Sequence, residues 1–198
     1  MDLQQVHPTD VSLAAEVLAD AFLDDPFAVW LFPSGGLRER LRKSWAVQMR
    51  VVSVPRGYAF ATPGYEGIAL WAPPGGHGPS FVQQLRMLVP FVRILGPRRL
   101  PTASAGYAVI NGARPDEPHW YLSTLGVAPS HQRQGFGGEL LRPMLERADA
   151  DGVITHLETF KQENVPYYER FGFRVSSVED VPGGPRMWAM ARAVAASG

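Results

Sequence analysis

The chain of 198 residues contains no cysteine. That absence excludes a disulfide scaffold, a thiolate nucleophile and any cysteine-based metal site. Lysine is scarce too: it occurs as Lys43 and Lys161, and arginine supplies the other basic side chains. Neither sign of charge prevails, since 19 basic and 19 acidic residues cancel. The basic surplus of a nucleic-acid or anionic-membrane binder is therefore missing. No apolar run attains the length of a membrane span; the best, from Phe81 to Leu95, is interrupted by Arg86, Pro90 and Arg93. The opening residues lack the basic stretch and apolar core of a secretory leader. These features lead us to expect a cytoplasmic protein with one domain over 1–198, long enough to bury a full core. Neither a metal nor a nucleic-acid or membrane partner is expected. The preference for Arg, Ala, Gly and Pro suggests a GC-rich bacterial genome and carries no chemistry.

What is present alternates between helix and strand patterns. Leu3 to His7 reads as a short strand. Thr9 or Asp10 reads as the cap of a helix with Val11, Ala14, Ala15, Leu18 and Phe22 on one face. Asp24-Asp25-Pro26 stops that helix, because the residue before a proline resists the helical region. A second helix is expected over 37–52, and paired strands over 57–62 and 66–72 around the turn Pro63-Gly64. A loop over 73–79 follows, then a helix over 81–95 kinked at Pro90 and a short helix over 102–111. From His119 the order is strand 119–127, helix 135–150, strand 153–158, helix 165–171, strand 173–179 and a last strand to about Ala193. Such alternation predicts an α/β (α+β) fold with a mixed sheet covered by helices.

Between strand 119–127 and its helix lies the run from Gln132 to Gly138, Gln-Arg-Gln-Gly-Phe-Gly-Gly. Gly135, Gly137 and Gly138 carry no Cβ, so an anion can approach the main chain closely. Amides at a helix start converge on that anion at the positive end of the dipole, and Arg133 can add a charge-assisted bond. A Walker A loop is excluded, because no Lys-Ser or Lys-Thr follows. A dinucleotide fingerprint is poorly met, with Leu140 in the third glycine place and Glu158 only loosely in the acidic one. A ligand-free glycine turn is the plain alternative. The pattern that remains, Gln/Arg-x-x-Gly-x-Gly/Ala, is met by Gln132, Gly135 and Gly137.

That pattern resembles motif A of the GNAT (GCN5-related N-acetyltransferase) superfamily, and Leu122, Leu125, Val127 and Pro129 resemble the strand before it. Further on, the run from Asn164 to Phe173 resembles motif B, Tyr-Glu-x-x-Gly-Phe, with Tyr168 in the tyrosine place. The similarity is clear over 119–192 and loose in the N-terminal half. Asp-Asp-Pro at 24–26, Ala69-Leu70-Trp71 and Asn-Val-Pro-x-Tyr are similar to the puromycin N-acetyltransferase-like branch. Residues 73–118 form a helix-rich insertion or replacement where the family usually has a strand. The resemblance implies a mixed, mostly antiparallel sheet of about six to seven strands and acetyl-CoA as co-substrate. It also implies transfer of acetyl to a primary amine of a small molecule by direct attack in a ternary complex, by a monomer or homodimer. Leu125, Gly126 and Val127 are then expected along the pantetheine arm. Gln132, Arg133, Gln134, Gly135, Phe136, Gly137 and Gly138 are expected at the pyrophosphate, on the amides of 133–138. Tyr168 is implied as the acid that protonates the departing thiolate. The place seven residues before it, often asparagine in the family, is Lys161. Asn164 either takes that role on the arm or caps the helix that Pro166 begins. Tyr167, about 100° around the helix from Tyr168, is expected to pack away from the cofactor.

An alkylammonium has a pKa near ~10.4 and is no nucleophile until it loses a proton. The family's usual strand positions for a base are Tyr121 and Ser123 here, and neither is a base at neutral pH. His119 is either a relay or a surface residue, so the base is unassigned. Residues 1–30 hold acidic side chains and no Lys or Arg. Asp24 and Asp25 with Trp30 and Trp71, joined by Tyr121 and Ser123, either form a site for a cationic, partly apolar amine or serve as a helix stop and as core. Two other readings stand beside small-molecule acetylation: a non-catalytic acyl-CoA-binding or regulatory domain, and a protein N-acetyltransferase. Retention of Tyr168 argues against the first. Neutral charge and the long 73–118 segment, which could wall off an acceptor groove, argue against the second.

Overall fold

In the computed structural model, which describes residues 2–33, 35–75 and 78–194, seven strands form one sheet. They are β1 Gln4–Gln5, β2 Ala59–Ala61, β3 Gly67–Ala72, β4 His119–Val127, β5 Ile154–Thr159, β6 Arg174–Asp180 and β7 Arg186–Arg192. Their spatial order is β1-β2-β3-β4-β5-β7-β6. Every neighbouring pair is antiparallel except β4 with β5. The helices are α1 Val11–Ala21, α2 Pro26–Leu31, α3 Leu37–Gln48, α4 Phe81–Leu95, α5 Leu100–Gly112, α6 Phe136–Asp151 and α7 Val165–Glu169. Among the described residues no helix is long and apolar enough to cross a membrane.

Helices cover both faces of the sheet, so β3 is buried along its whole length and reads as a continuous apolar run. On one face α1 seats Val11, Ala14, Ala15 and Leu18, all fully buried. Its approach needs Gly126: a Cβ there would lie 2.7 Å from Leu18 Cδ2. On the other face α6 buries Leu140, Leu141, Met144, Leu145 and Ala148. Each large aliphatic side chain removed from water contributes about 1.5–3 kcal/mol, which holds both layers on the sheet.

Local chemistry departs from the sequence reading in a few places. Asp10 stands at the N-cap of α1 as expected, but its side chain makes no capping bond; its carboxylate accepts instead from the hydroxyls of Thr9 and Tyr65, each at 3.0 Å. α1 ends before Asp24-Asp25-Pro26 as expected, and Asp25 also begins a helix. Its carboxylate accepts from the Ala28 amide at 2.9 Å, with Pro26 in the first turn of α2. A proline bars the residue before it from a helix yet suits a first turn, so one motif separates α1 from α2 and starts the latter. The helix expected over 37–52 passes from α3 into a π-turn at Met49–Ser53. Residues 76 and 77 of the loop expected over 73–79 lie outside the described residues. Within 73–118, α4 starts on a Ser80–Gln83 capping box and carries Pro90 internally. Leu95 of α4 and Ile110 of α5 join Phe27, Leu31 and Leu41 in a separate apolar cluster.

The feature that positions the site is a divergence. β4 and β5 pair only through His119–Leu122 and Ile154–Leu157, while β4 runs on to Val127. Against β3 the register shifts between Leu70 and Trp71, leaving Ser123 extra on β4. Such a bulge re-aims the strand, and the two parallel strands part beyond it.

Candidate active site

The parting strands open a cleft of about 560 Å³ between the end of β4, the start of α6, α7 and the α1–α2 junction. Leu125, Gly126 and Val127 form one wall, on a stretch of β4 that β5 does not pair with. An extended, amide-bearing ligand can pair with such an edge as an added strand does. Gln132, Arg133, Gly135, Phe136, Gly137 and Gly138 line the adjoining end. Gly135 has φ +96° and Arg133 φ +61°. A non-glycine residue in the left-handed region costs about 1–2 kcal/mol, and such strain concentrates at functional loops. First-turn amides of a helix lack intrahelical acceptors, but the Gly138 amide bonds back to the Gly135 carbonyl at 2.9 Å. The amide cradle expected over 133–138 therefore narrows to the amides before Gly138. Gln132 donates to the Val127 carbonyl at 3.2 Å and fastens the loop to β4. Gln134 donates to the Ser130 carbonyl at 3.1 Å and is absent from the lining.

Both tyrosines of α7 line the cleft, so Tyr167 does not turn away as expected. The cleft passes between α7 and the start of α6, and a five-residue helix lying there can show it two adjacent side chains. The Tyr167 hydroxyl reaches Gly137, where any Cβ would collide with it, and it is buried without a hydrogen-bond partner. Tyr168 is 8% exposed and belongs to the main core beside Phe173. Burial pushes the Tyr167 phenol up to about 12. It pushes Tyr168 higher still, with the charges of Tyr167 and Asp25 acting in the same direction. Both phenols therefore stay protonated at neutral pH, the state a proton donor needs. Acetyl-CoA suits these groups: an orphaned buried hydroxyl beside a glycine-lined row of amides is a set of donors facing oxygen acceptors. Arg170, which the sequence reading passed over, also lines the cleft and stacks over the Tyr167 ring at 5.1 Å.

Across the cleft stand two adjacent acids with different surroundings. Asp24 is 78% exposed, is absent from the lining and pairs with the Lys161 ammonium, which holds its carboxyl below the usual value. Lys161 itself lines the cleft, so this pair joins the α1–α2 junction to the β5–α7 loop. Asp25 does line the cleft, and burial pushes its carboxyl above the usual value despite the Ala28 amide it accepts from. Asn164 lines the cleft as well, but it does not cap α7; its amide donates to the Thr159 hydroxyl at 3.2 Å.

The remaining acceptor-site candidates lie elsewhere. Trp71 is buried in the core under α6. The Trp30 indole donates to the Gly183 carbonyl at 2.7 Å, and its ring packs on Phe27 and Arg99. Ser123 donates from the bulge to the Leu70 carbonyl at 3.0 Å. Tyr121 is buried under the Arg114 guanidinium, 4.1 Å from its ring, and burial raises its phenol far above the usual value. His119 is neither at the surface nor in the cleft. It is 1% exposed, edge-on to His156 at 5.5 Å, with Nδ1 donating to the Glu117 carbonyl at 2.8 Å. None of these five lines the cleft. Among the described residues no cluster of three or more His, Cys, Asp or Glu is placed to hold a metal ion.

Comparison with known proteins agrees with this geometry. Residues 99–173 match the acetyltransferase (GNAT) family, a span that contains β4, the glycine loop and α7. An uncharacterized N-acetyltransferase of Schizosaccharomyces pombe is 27% identical over 183 residues, 87% of this chain and 74% of that protein. A solved structure described as histone acetyltransferase HPA2 and related acetyltransferase from Corynebacterium glutamicum is similar with a TM-score of 0.71. It is 22% identical and covers 98% of this chain and 97% of that one. The polyamine N-acetyltransferase of Drosophila melanogaster, an enzyme that forms N-acetylagmatine, is similar with a TM-score of 0.62. It is 14% identical, over 97% of this chain and 99% of that one. These two structural likenesses concern the fold. The matched segment wraps around a cleft that gathers the glycine loop, the free edge of β4 and Tyr168, and over that segment the chain is similar to the GNAT family of N-acetyltransferases.

Proposed function

We propose that the chain transfers the acetyl group of acetyl-CoA to a primary amine of a small molecule, by direct attack with both substrates bound. The observation that carries this reading is the convergence of the β4 edge, the glycine loop and Tyr168 on one cleft. The pantetheine arm lies along Leu125–Val127, and the pyrophosphate sits on the amides before Gly138 with Arg133 beside it. The amine nitrogen attacks the thioester carbonyl carbon, and the carbon–sulfur bond breaks as Tyr168 donates its phenolic proton to the thiolate. Holding the two reactants in contact is itself a large contribution, since effective molarities of about 10⁵–10⁸ M follow from good orientation.

A small acceptor is favoured by contacts that join the α1–α2 junction to the β5–α7 loop beside the cleft. Phe27 of α2 stacks on Phe160 at 4.5 Å, and the Asp24–Lys161 pair ties the same two segments together. The acceptor of the Drosophila neighbour is likewise a small amine. The test is a coenzyme A thiol-release screen across arylalkylamines, polyamines, amino sugars and short peptides, with calorimetry of acetyl-CoA binding alongside. Release stimulated by a small amine is expected. Release with peptides alone would mean a protein acetyltransferase, and binding without release would mean a non-catalytic acyl-CoA domain.

A further inference from the structure

The reaction just described needs a proton acceptor, and β4 supplies none. Tyr121 is buried under Arg114, the Ser123 hydroxyl is engaged at the bulge, and His119 lies outside the cleft. Among the residues lining the cleft, one carries a carboxylate: Asp25. Its place is determined by the chain around it, because Pro26 sets the first turn of α2 and the Ala28 amide holds one carboxylate oxygen at 2.9 Å. The other titratable and charged groups around it come from several elements. Lys161, from the β5–α7 loop, is paired with Asp24. Tyr168, from α7, is a neutral phenol at working pH. Arg133, Arg170 and His131 line the same cleft from the glycine loop and from the end of α7.

We propose that Asp25 is the base that takes the proton from the acceptor ammonium, across the cleft from Tyr168, an assignment that rests on the acetyl-transfer reading above. Two protons leave the nitrogen. The first passes from the ammonium to the Asp25 carboxylate and then to solvent. The neutral amine attacks the carbonyl carbon, forming the nitrogen–carbon bond. On collapse the carbon–sulfur bond breaks, Tyr168 protonates the sulfur, and the nitrogen's second proton restores the phenol. Burial, which raises the Asp25 carboxyl, makes it a better proton acceptor than an exposed aspartate. Adjacent acids thus divide the work: Asp24 neutralises Lys161, and Asp25 stays available to the substrate.

Asp25→Asn is the suitable variant, because its amide oxygen still accepts from the Ala28 amide and preserves the cap. Two acceptors should be compared: an alkylamine that is a cation at neutral pH, and a weakly basic alkoxyamine that is already neutral there. For the alkylamine, kcat/KM should fall roughly 10²- to 10⁴-fold and climb with pH without levelling until the amine itself is neutral. For the alkoxyamine the loss should be only a few-fold. Equal losses with both amines would overturn the assignment and leave Asp25 a binding or structural residue. Unchanged rates with both would place the base elsewhere. If the wild-type protein binds acetyl-CoA but acetylates neither amine, the acetyl-transfer reading falls, and this assignment with it.

Discussion

Gly137→Ala puts the contact between α6 and α7 to a direct test. The added Cβ would collide with the Tyr167 hydroxyl, while the ring carbon Cζ stands at an ordinary 3.4 Å. The ring has little room to withdraw, with Phe171 at 5.3 Å, Tyr168 at 5.2 Å and the Arg170 guanidinium at 5.1 Å. Overpacking of this kind costs about 1–3 kcal/mol. Alanine in place of a helical glycine contributes about 0.5–1 kcal/mol in the other direction, so folding stability should fall by no more than about 2.5 kcal/mol. Acetyl-CoA affinity has no such compensation if, as proposed above, the start of α6 is the anion cradle. It should fall roughly 5- to 150-fold, the equivalent of 1–3 kcal/mol. Adding Tyr167→Phe removes the clashing oxygen and should restore most of the loss, a coupling within the 0.5–3 kcal/mol known for touching residues, taken as an approximate range. Gly135→Ala makes the contrast: its φ is +96° with open space around it, so it should lose affinity through backbone strain, and Tyr167→Phe should not rescue it. Titration calorimetry with thermal melts reads each of these. Wild-type affinity in Gly137→Ala, or no recovery in the double variant, would refute the argument.

Tyr168→Phe should lower kcat about 10²-fold with acetyl-CoA affinity nearly unchanged, whereas Tyr167→Phe should act chiefly on affinity; stopped-flow turnover and calorimetry separate the two, and exchanged phenotypes would mean the acid is Tyr167. Asp25 also predicts a stability profile. Its folded-state pKa stands above the ordinary 3.8, so the wild type loses stability as pH rises from that value through the raised one, and Asp25→Asn does not. The variant's advantage in Tm should grow over that interval and then level, by about 2–4 °C per kcal/mol for a chain of this size; a pH-independent difference would contradict the burial argument. Arg192→Met breaks a two-pronged pair with Asp149, both bonds 2.7 Å, and a bond from Nε to the Phe171 carbonyl at 3.0 Å. Its side chain is 13% exposed and that of Asp149 26%. Urea unfolding should therefore show a loss of about 2–3 kcal/mol, short of the 3–5 for a fully buried pair; a loss under about 0.5 kcal/mol would mean the pair is screened.

Local order was legible because it depends on near neighbours in the chain. The face of α1, the span of β4, the glycine turn and the strand–helix alternation after His119 follow from periodicity and backbone preference. Motif spacing was enough to place Leu125–Val127, most of the glycine loop, Asn164 and Tyr168 around one cleft. The strand order, the loss of β4–β5 pairing beyond Leu122 and the bulge at Ser123 depend on packing between elements far apart in sequence, and local pattern carries no record of it. The same holds for side chains whose neighbours decide their role. Asp24 and Asp25 are adjacent and chemically alike, yet one reaches Lys161 and solvent while the other is half-buried and lines the cleft. Tyr167 and Tyr168 both face it, because the narrow gap between α6 and α7 admits two side chains of one short helix. Periodicity determines which way a side chain points, but only the tertiary structure determines what it meets there, and with it the dielectric and the charges that set its protonation.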